Sequence, residues 1–324
     1  MLAVRLLSEV EKVVGRRIPL ATLFRGATVQ ALAQLLREGS ESDPDPLVME
    51  VQAGNGGLAF FAVASPGVRA LGYALLARHM GADQALYKVQ ANTEPLRGRP
   101  YTLDEIRVLA KQYVAAMRVV QPQGPYCLGG MCGGVQIAEQ MVIDLEAAGE
   151  EVGLFAVFDT WVMQHSQNQW RWRLFYYQQR LRSLRKASLT EQLQQYKRAA
   201  QNHIRKWTGK ERVPNVWHQT YWPENFTPTR FRAPVALFKR PKQPFYYVDD
   251  PQMGWGARSE GGVEVHEVEF DHFQILREPF VRVLGEKLVK CLQRVNQRAQ
   301  ETAQPTQADG QFPSTIPSAV PDNA

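Results

Sequence analysis

Short apolar runs and amphipathic stretches alternate along most of this chain. Leu58–Val63 is almost wholly apolar and gives way to Ala64-Ser65-Pro66-Gly67, the pattern of a buried strand running into a turn. Helical spacing follows through Tyr73–His79, and Tyr101–Val119 predicts a further helix, closed by Gln121-Pro122-Gln123-Gly124-Pro125. Val135, Ala138, Met141, Val142 and Leu145 fall on one face of a helix from about Gly134 to Ala148. Leu154–Phe158 is the next strand-sized apolar run and ends at Asp159. Pro234–Phe238 and Val263–Phe270 read as later strands, and Glu278–Val295 as a final helix. Such alternation predicts an α/β fold with a mostly parallel sheet covered by helices.

The alternation is interrupted once and framed by two different segments. Residues 162–225 hold two long helical stretches, one with Leu174, Tyr177, Leu181 and Leu184 at helical spacing. A helical insertion between two strands of such a sheet is a lid in position and size. Before the large unit, residues 1–38 are helical in pattern, with Leu2, Val4, Leu7, Val10 and Val14 recurring, and residues 39–47 (Gly-Ser-Glu-Ser-Asp-Pro-Asp-Pro-Leu) read as a linker. The large unit spans 48–296. Residues 297–324 are rich in Gln, Thr, Pro, Ala and Ser, which predicts a disordered tail.

Composition narrows the setting. With 324 residues, 44% hydrophobic and 22% charged, the chain can bury one large core plus small appendages. Cys127, Cys132 and Cys291 are odd in number and show no disulfide or metal-ligand spacing, so a reducing, cytoplasmic setting is expected. No apolar stretch approaches the length of a membrane span, and residues 1–20 lack the apolar block of a signal peptide. A net charge of +6 raises nucleic acid as a partner, but no recognition motif accompanies it. Neither nucleic acid nor membrane is expected.

The candidate chemistry lies at residues 126–134, Tyr-Cys-Leu-Gly-Gly-Met-Cys-Gly-Gly. A short strand, a Gly-x-nucleophile-x-Gly turn and a helix form a nucleophile elbow, with Cys132 where serine is usual. Gly130, Gly133 and Gly134 suit a turn in which strand and helix approach closely. Given 24 glycines and three cysteines, the bare pattern arises by chance in roughly one or two such chains per hundred. Acyl transfer by such a nucleophile also needs a base and an acid that orients it, in the chain order nucleophile, acid, histidine. Of six histidines, His79 sits in an early helix, His165 and His203 in the lid, His218 just after it, and His266 inside a strand. His272, in the loop before the final helix, is the candidate base. The acid is Asp159 at the strand end, or Asp249 or Asp250 in the loop after Pro234–Phe238; Asp144 and Asp271 read as solvated. Gly133 N–H is one oxyanion donor, and the Ser65–Val68 turn offers a second, Gly67, because Pro66 has no N–H.

Gly124-Pro125-Tyr126-Cys127-Leu128-Gly129-Gly130-Met131-Cys132-Gly133-Gly134 resembles the GPYxLxGxSxGG signature of type I thioesterase domains, which end nonribosomal peptide and polyketide synthases. The Ala110…Tyr113 helix and Phe270-Asp271-His272-Phe273 resemble the same family, over about residues 48–295. The likeness implies an α/β-hydrolase with a helical lid, with Asp159 as acid and no cofactor bound by the chain itself. Its substrate would be an acyl or peptidyl chain tethered to the 4'-phosphopantetheine of a carrier protein domain, in the same or an upstream synthase. The turn at Ser65–Val68 departs from the family's His-Pro-x-Gly-Gly. Residues 1–38, with Pro19-Leu20-Ala21-Thr22-Leu23-Phe24 and Thr28-Val29-Gln30-Ala31-Leu32-Ala33, resemble the C-terminal helices of a carrier protein without its phosphopantetheinylated serine.

A cysteine keeps the acyl group as a thioester, which favours cyclising or aminolytic release over hydrolysis. Two alternatives compete: an editing thioesterase that clears misprimed carriers, and a non-catalytic acyl-binding module. In the lid, Trp170–Lys186 interleaves five aromatic with six basic residues. Carrier docking, single-strand nucleic-acid binding and a plain amphipathic helix with inward aromatics and solvated arginines are the readings of that stretch, the last the simplest.

Overall fold

The structure is a computed structural model that describes residues 47–64, 70–90, 101–162, 169–186, 229–270, 272 and 274–303, together with 10, 13, 14, 29, 30 and 33. The carrier-like segment, the linker, most of the lid and the end of the tail therefore lie outside the described residues. In chain order the elements are β1 (Val48–Gln52), β2 (Phe60–Val63), α1 (Ala70–Met80), β3 (Leu86–Val89), α2 (Leu103–Val120), β4 (Tyr126–Met131) and α3 (Gly133–Ala147). They continue with β5 (Val152–Phe158), α4 (Gln169–Lys186), β6 (Val235–Lys239), β7 (Val263–Glu267) and α5 (Phe280–Ala303).

The strands form one sheet in the order β1-β3-β2-β4-β5-β6-β7, antiparallel only at β1 against β3. Successive residues of each central strand enter opposite cores. Phe61, Val63, Leu128, Phe155 and Leu237 pack with α2 and α3. Phe60, Ala62, Cys127, Ala156 and Phe238 pack with α1 and α5. Because both faces are covered, these strands read as continuous apolar runs rather than alternating ones. A capping box starts α2, where the Glu105 N–H donates to Thr102 Oγ1 (3.3 Å) and the Thr102 N–H to Glu105 Oε2 (2.7 Å).

β4 is the central strand, and two glycines let it fit. A Cβ at Gly129 would lie 2.1 Å from the Ala156 carbonyl oxygen of β5, and one at Gly130 2.5 Å from that of Val63 in β2. The parallel register pairs Gly129 with Ala156 and Gly130 with Val63, so all three strands end together beneath Cys132.

Several expectations are corrected. β1 and β3 were not anticipated: β1 is a half-buried edge strand, and Lys88 interrupts the apolar pattern of β3. β7 stops at Glu267 rather than Phe270. The final helix continues past Val295 to Ala303, into the stretch expected to be disordered, because Gln, Arg, Ala and Glu favour helix even without large apolar residues. In α4 two of the aromatics expected to face inward, Trp170 and Tyr177, are exposed, as are Leu174 and Leu181. Phe175 packs against Phe245 and Tyr246 instead.

Gly129→Ala should destabilise the chain by at least ~2 kcal/mol, because backbone rather than a flexible side chain blocks the new methyl. A thermal melt beside wild type measures the loss.

Candidate active site

Cys132 links β4 to α3 with φ 50° and ψ −130°, a backbone conformation that costs energy for any residue bearing a Cβ. The geometry lifts its side chain above the C-terminal edge of the sheet. Its N–H donates to Thr160 Oγ1 (2.8 Å), and the Thr160 hydroxyl donates to the Phe158 carbonyl (2.8 Å). Trp255 Nε1 donates to the Thr160 carbonyl (2.8 Å), so the strained turn is held from the neighbouring strand end. Gly133 opens α3, where a backbone N–H has no helical carbonyl four residues back to bond.

Three chain segments meet at the sulfur. Cys132 Sγ lies 2.8 Å from His272 Nε2, and His272 Nδ1 lies 2.9 Å from Asp159 Oδ2. Asp159 follows β5 with φ 41°, and no part of its side chain is exposed. Four donors surround the carboxylate: His272 Nδ1, the Arg240 guanidinium (Nη2 to Oδ2, 3.2 Å), the Arg240 N–H (3.4 Å) and Gln243 Nε2 (3.2 Å to Oδ1). Gln243 is oriented in turn by Trp161 Nε1 (3.4 Å). Arg240 and Gln243 come from the loop after β6, and sequence reading missed both, as it missed Thr160.

His272 is largely buried, which by itself would lower its pKa. Hydrogen bonds to Asp159 and Cys132, and the negative charge of each, outweigh burial and raise it from 6.5 to about 10. The arrangement is a proton-holding imidazole between an oriented carboxylate and a sulfur, the parts needed for nucleophilic acyl transfer. Among the described residues the site itself gathers no cluster of metal ligands.

The remaining candidates fall elsewhere. Asp250 accepts from the N–H groups of Gln252 (2.8 Å) and Gly254 (2.7 Å), which ties its own turn, and the carboxylate at His272 Nδ1 is that of Asp159. His79 pairs with Glu278 (2.6 Å), and His266, in β7, stacks on Phe238 of β6. Asp144, expected in solvent, is half-buried: Oδ1 accepts from Gln140, and Oδ2 is buried without a hydrogen bond. Gly67, Asp271, His165, His203 and His218 lie outside the described residues.

A family model described as "Thioesterase domain" matches residues 61–288, well over half the chain. A dimodular nonribosomal peptide synthase of Bacillus subtilis is 32% identical over 162 residues, which is 50% of this chain and 7% of that protein. Chondramide synthase of Chondromyces crocatus is 26% identical over 334 residues, 89% of this chain and 8% of that protein. The chain thus spans less than a tenth of the length of either relative. Among solved structures, a four-domain nonribosomal peptide synthetase bound to AMP and glycine aligns with a TM-score of 0.52 at 21% identity, over 89% of this chain and 23% of that one. That likeness shows the α/β-hydrolase fold.

Arg240→Met should cost about 3 kcal/mol, because it strips a counter-ion from a carboxylate that water cannot reach. Denaturant unfolding of the single variant and of Arg240→Met with Asp159→Asn tests this: the second change, which removes the charge, should recover part of the loss.

Proposed function

The chain belongs to the thioesterase domain family, hydrolases that act on thioesters, and from that premise we propose that it releases an acyl or peptidyl chain from carrier-bound phosphopantetheine through an acyl-Cys132 intermediate. The observation that carries this reading is the unbroken path from Cys132 Sγ through His272 to Asp159, at 2.8 and 2.9 Å. In it Cys132 is the nucleophile, His272 the acid and base, and Asp159 the residue that fixes the imidazole. Gly133 N–H is one oxyanion donor, and Gly67 remains the proposed second.

The proton bookkeeping follows from the charges. In the attacking state the pair is a His272 imidazolium and a Cys132 thiolate. Cys132 Sγ attacks the thioester carbonyl, the tetrahedral oxyanion collapses, and the carbon–sulfur bond to phosphopantetheine breaks. The proton on Nε2 passes to the departing sulfur, so the carrier leaves as a free thiol and His272 is neutral. Acylation has also removed the negative charge and the hydrogen-bonding partner that Cys132 supplied, two of the causes that hold the His272 pKa up. The imidazole now acts as a base: it takes the proton from water or from a nucleophile within the acyl chain as that group attacks. Collapse of the second oxyanion restores thiolate and imidazolium.

Cysteine keeps the intermediate a thioester, so transfer from the carrier is nearly isoenergetic and the acyl group stays activated. We read this as favouring cyclising or aminolytic release. The upstream segment reads as the end of a carrier domain, supported by its sequence and by the match to chondramide synthase, which outruns residues 61–288. The partner is then a carrier of a nonribosomal peptide or polyketide assembly, and the enzyme needs no cofactor of its own.

Incubation with acyl-N-acetylcysteamine thioesters should add one acyl group to the intact mass of wild type and none to Cys132→Ala, with turnover down at least ~10³-fold. An adduct that persists in Cys132→Ala would refute the acyl-cysteine. With a substrate bearing an internal nucleophile, Cys132→Ser should shift product from cyclised towards hydrolysed, and an unchanged ratio would remove the role assigned to sulfur.

The pH dependence has a definite sign. A histidine raised from 6.5 to about 10 adds its full stability below about pH 6.5 and loses it as pH rises through about 10. The difference in unfolding free energy between wild type and His272→Gln should therefore shrink from neutral pH towards pH ~10.

A further inference from the structure

We infer that Glu264, His266 and Cys291 form a second site, able to hold one divalent transition-metal ion of the zinc class, beneath helix α5. Glu264 and His266 are two apart on β7, so their side chains share one face of the sheet. Cys291 descends onto that face from α5, in the same core as α1 and remote from α2 and α3. His266 Nε2 lies 3.4 Å from Glu264 Oε1 and 3.4 Å from Cys291 Sγ, and the three ligand atoms are all within 4.8 Å of one another.

The two 3.4 Å separations, from His266 Nε2 to each of its partners, suit a tetrahedral ion. With metal–sulfur bonds of ~2.3 Å and metal–nitrogen or –oxygen bonds of ~2.0–2.1 Å, the edges between ligand atoms are about 3.4–3.6 Å. One carboxylate, one imidazole and one thiolate make a three-ligand set that leaves a fourth position open. A cavity of about 480 Å³ lined by Glu264 and Cys291 gives that position access and room for water. The imidazole is already oriented, since its ring stacks on Phe238 with centroids 4.8 Å apart.

Arg294 is the residue an ion must coexist with. Its Nη2 bonds Glu264 Oε2 and lies 3.4 Å from Cys291 Sγ, while Oε1, the oxygen turned towards His266, stays free of it. With the ion in place, the guanidinium becomes a donor to the carboxylate and to the thiolate from outside the coordination sphere. A metal-bound cysteine is a thiolate, so binding breaks the S–H bond of Cys291, forms a sulfur–metal bond and sends one proton to solvent.

Cobalt(II) is the probe, because a thiolate ligand gives it a sulfur-to-metal charge-transfer absorption. The full chain carrying Cys132→Ser removes the sulfur at the other site, and Cys127 is wholly buried. That variant should bind one equivalent of Co²⁺ with the charge-transfer band and release one proton. Zn²⁺ should raise its unfolding midpoint by mass action. Adding Cys291→Ser should abolish the band, and Glu264→Gln, at a half-exposed position that tolerates change, should weaken binding at least ~10-fold. No band at one equivalent in Cys132→Ser, or a band that survives Cys291→Ser, would overturn the assignment. Neither outcome touches the acyl-Cys132 reading, which rests on different residues.

Discussion

A carboxylate that water cannot reach must find all its compensation within the protein, and Asp159 is such a group. Its charge is met by an imidazole, a guanidinium, a backbone N–H and a side-chain amide drawn from two loops. Arg240 and Gln243 are there because the sheet brings the ends of β5 and β6 side by side: Phe158 pairs with Phe238, which leaves Asp159 and Arg240 just beyond the ladder. The loop after β6 also holds Asp249 and Asp250, the alternative acids read from the sequence. Here it supplies the acid's counter-ion and a glutamine. Withdraw that pairing and the carboxylate would have to take up a proton or draw in water, and either would release His272.

The same edge of the sheet holds the sulfur. Gly129 and Gly130 allow β4 to lie close against both neighbours, and the Cys132 turn then begins level with the end of β5. Thr160 converts that proximity into a bond, because its hydroxyl accepts the Cys132 N–H while its carbonyl is tied to Trp255. Two backbone strains therefore face each other, at Cys132 (φ 50°) and Asp159 (φ 41°), and both are held by packed strands rather than by mobile loops. Strain of this kind persists only where the surroundings over-determine the conformation.

How far the sequence discloses this depends on the range of each interaction. The elbow is local: nine residues contain the strand end, the glycines and the nucleophile, so Cys132 is legible on sight. His272 and Asp159 are legible through chain order and strand ends, which a parallel fold translates into proximity. Arg240 and Gln243 are not, because their roles follow from register between strands some eighty residues apart, and Thr160 is not, because it meets Cys132 only through the pairing of β4 with β5. β1 and β3 escaped for a related reason: β1 is the half-buried edge strand and β3, its neighbour, has two half-buried central residues, so neither carries a continuous apolar run. The Glu264–His266–Cys291 cluster is equally hidden, since two ligands alternate along one strand and the third arrives from a helix 25 residues later.

Arg240 bears on why a thiol suits this site. A cation 3.2 Å from the carboxylate weakens the pull that Asp159 exerts on the imidazole proton. A serine nucleophile keeps its own proton at rest and depends on a strongly basic imidazole, so a serine enzyme would lose general-base strength to that cation. A thiolate returns the lost negative charge from the other side of the ring, 2.8 Å from Nε2. In the proposed acyl-Cys132 cycle the imidazole then holds its proton until the sulfur attacks and turns basic once the sulfur is acylated. On this argument Arg240 and Cys132 are coupled through His272, one withdrawing negative charge from the ring's surroundings and the other supplying it only at the stage where a bound proton is useful.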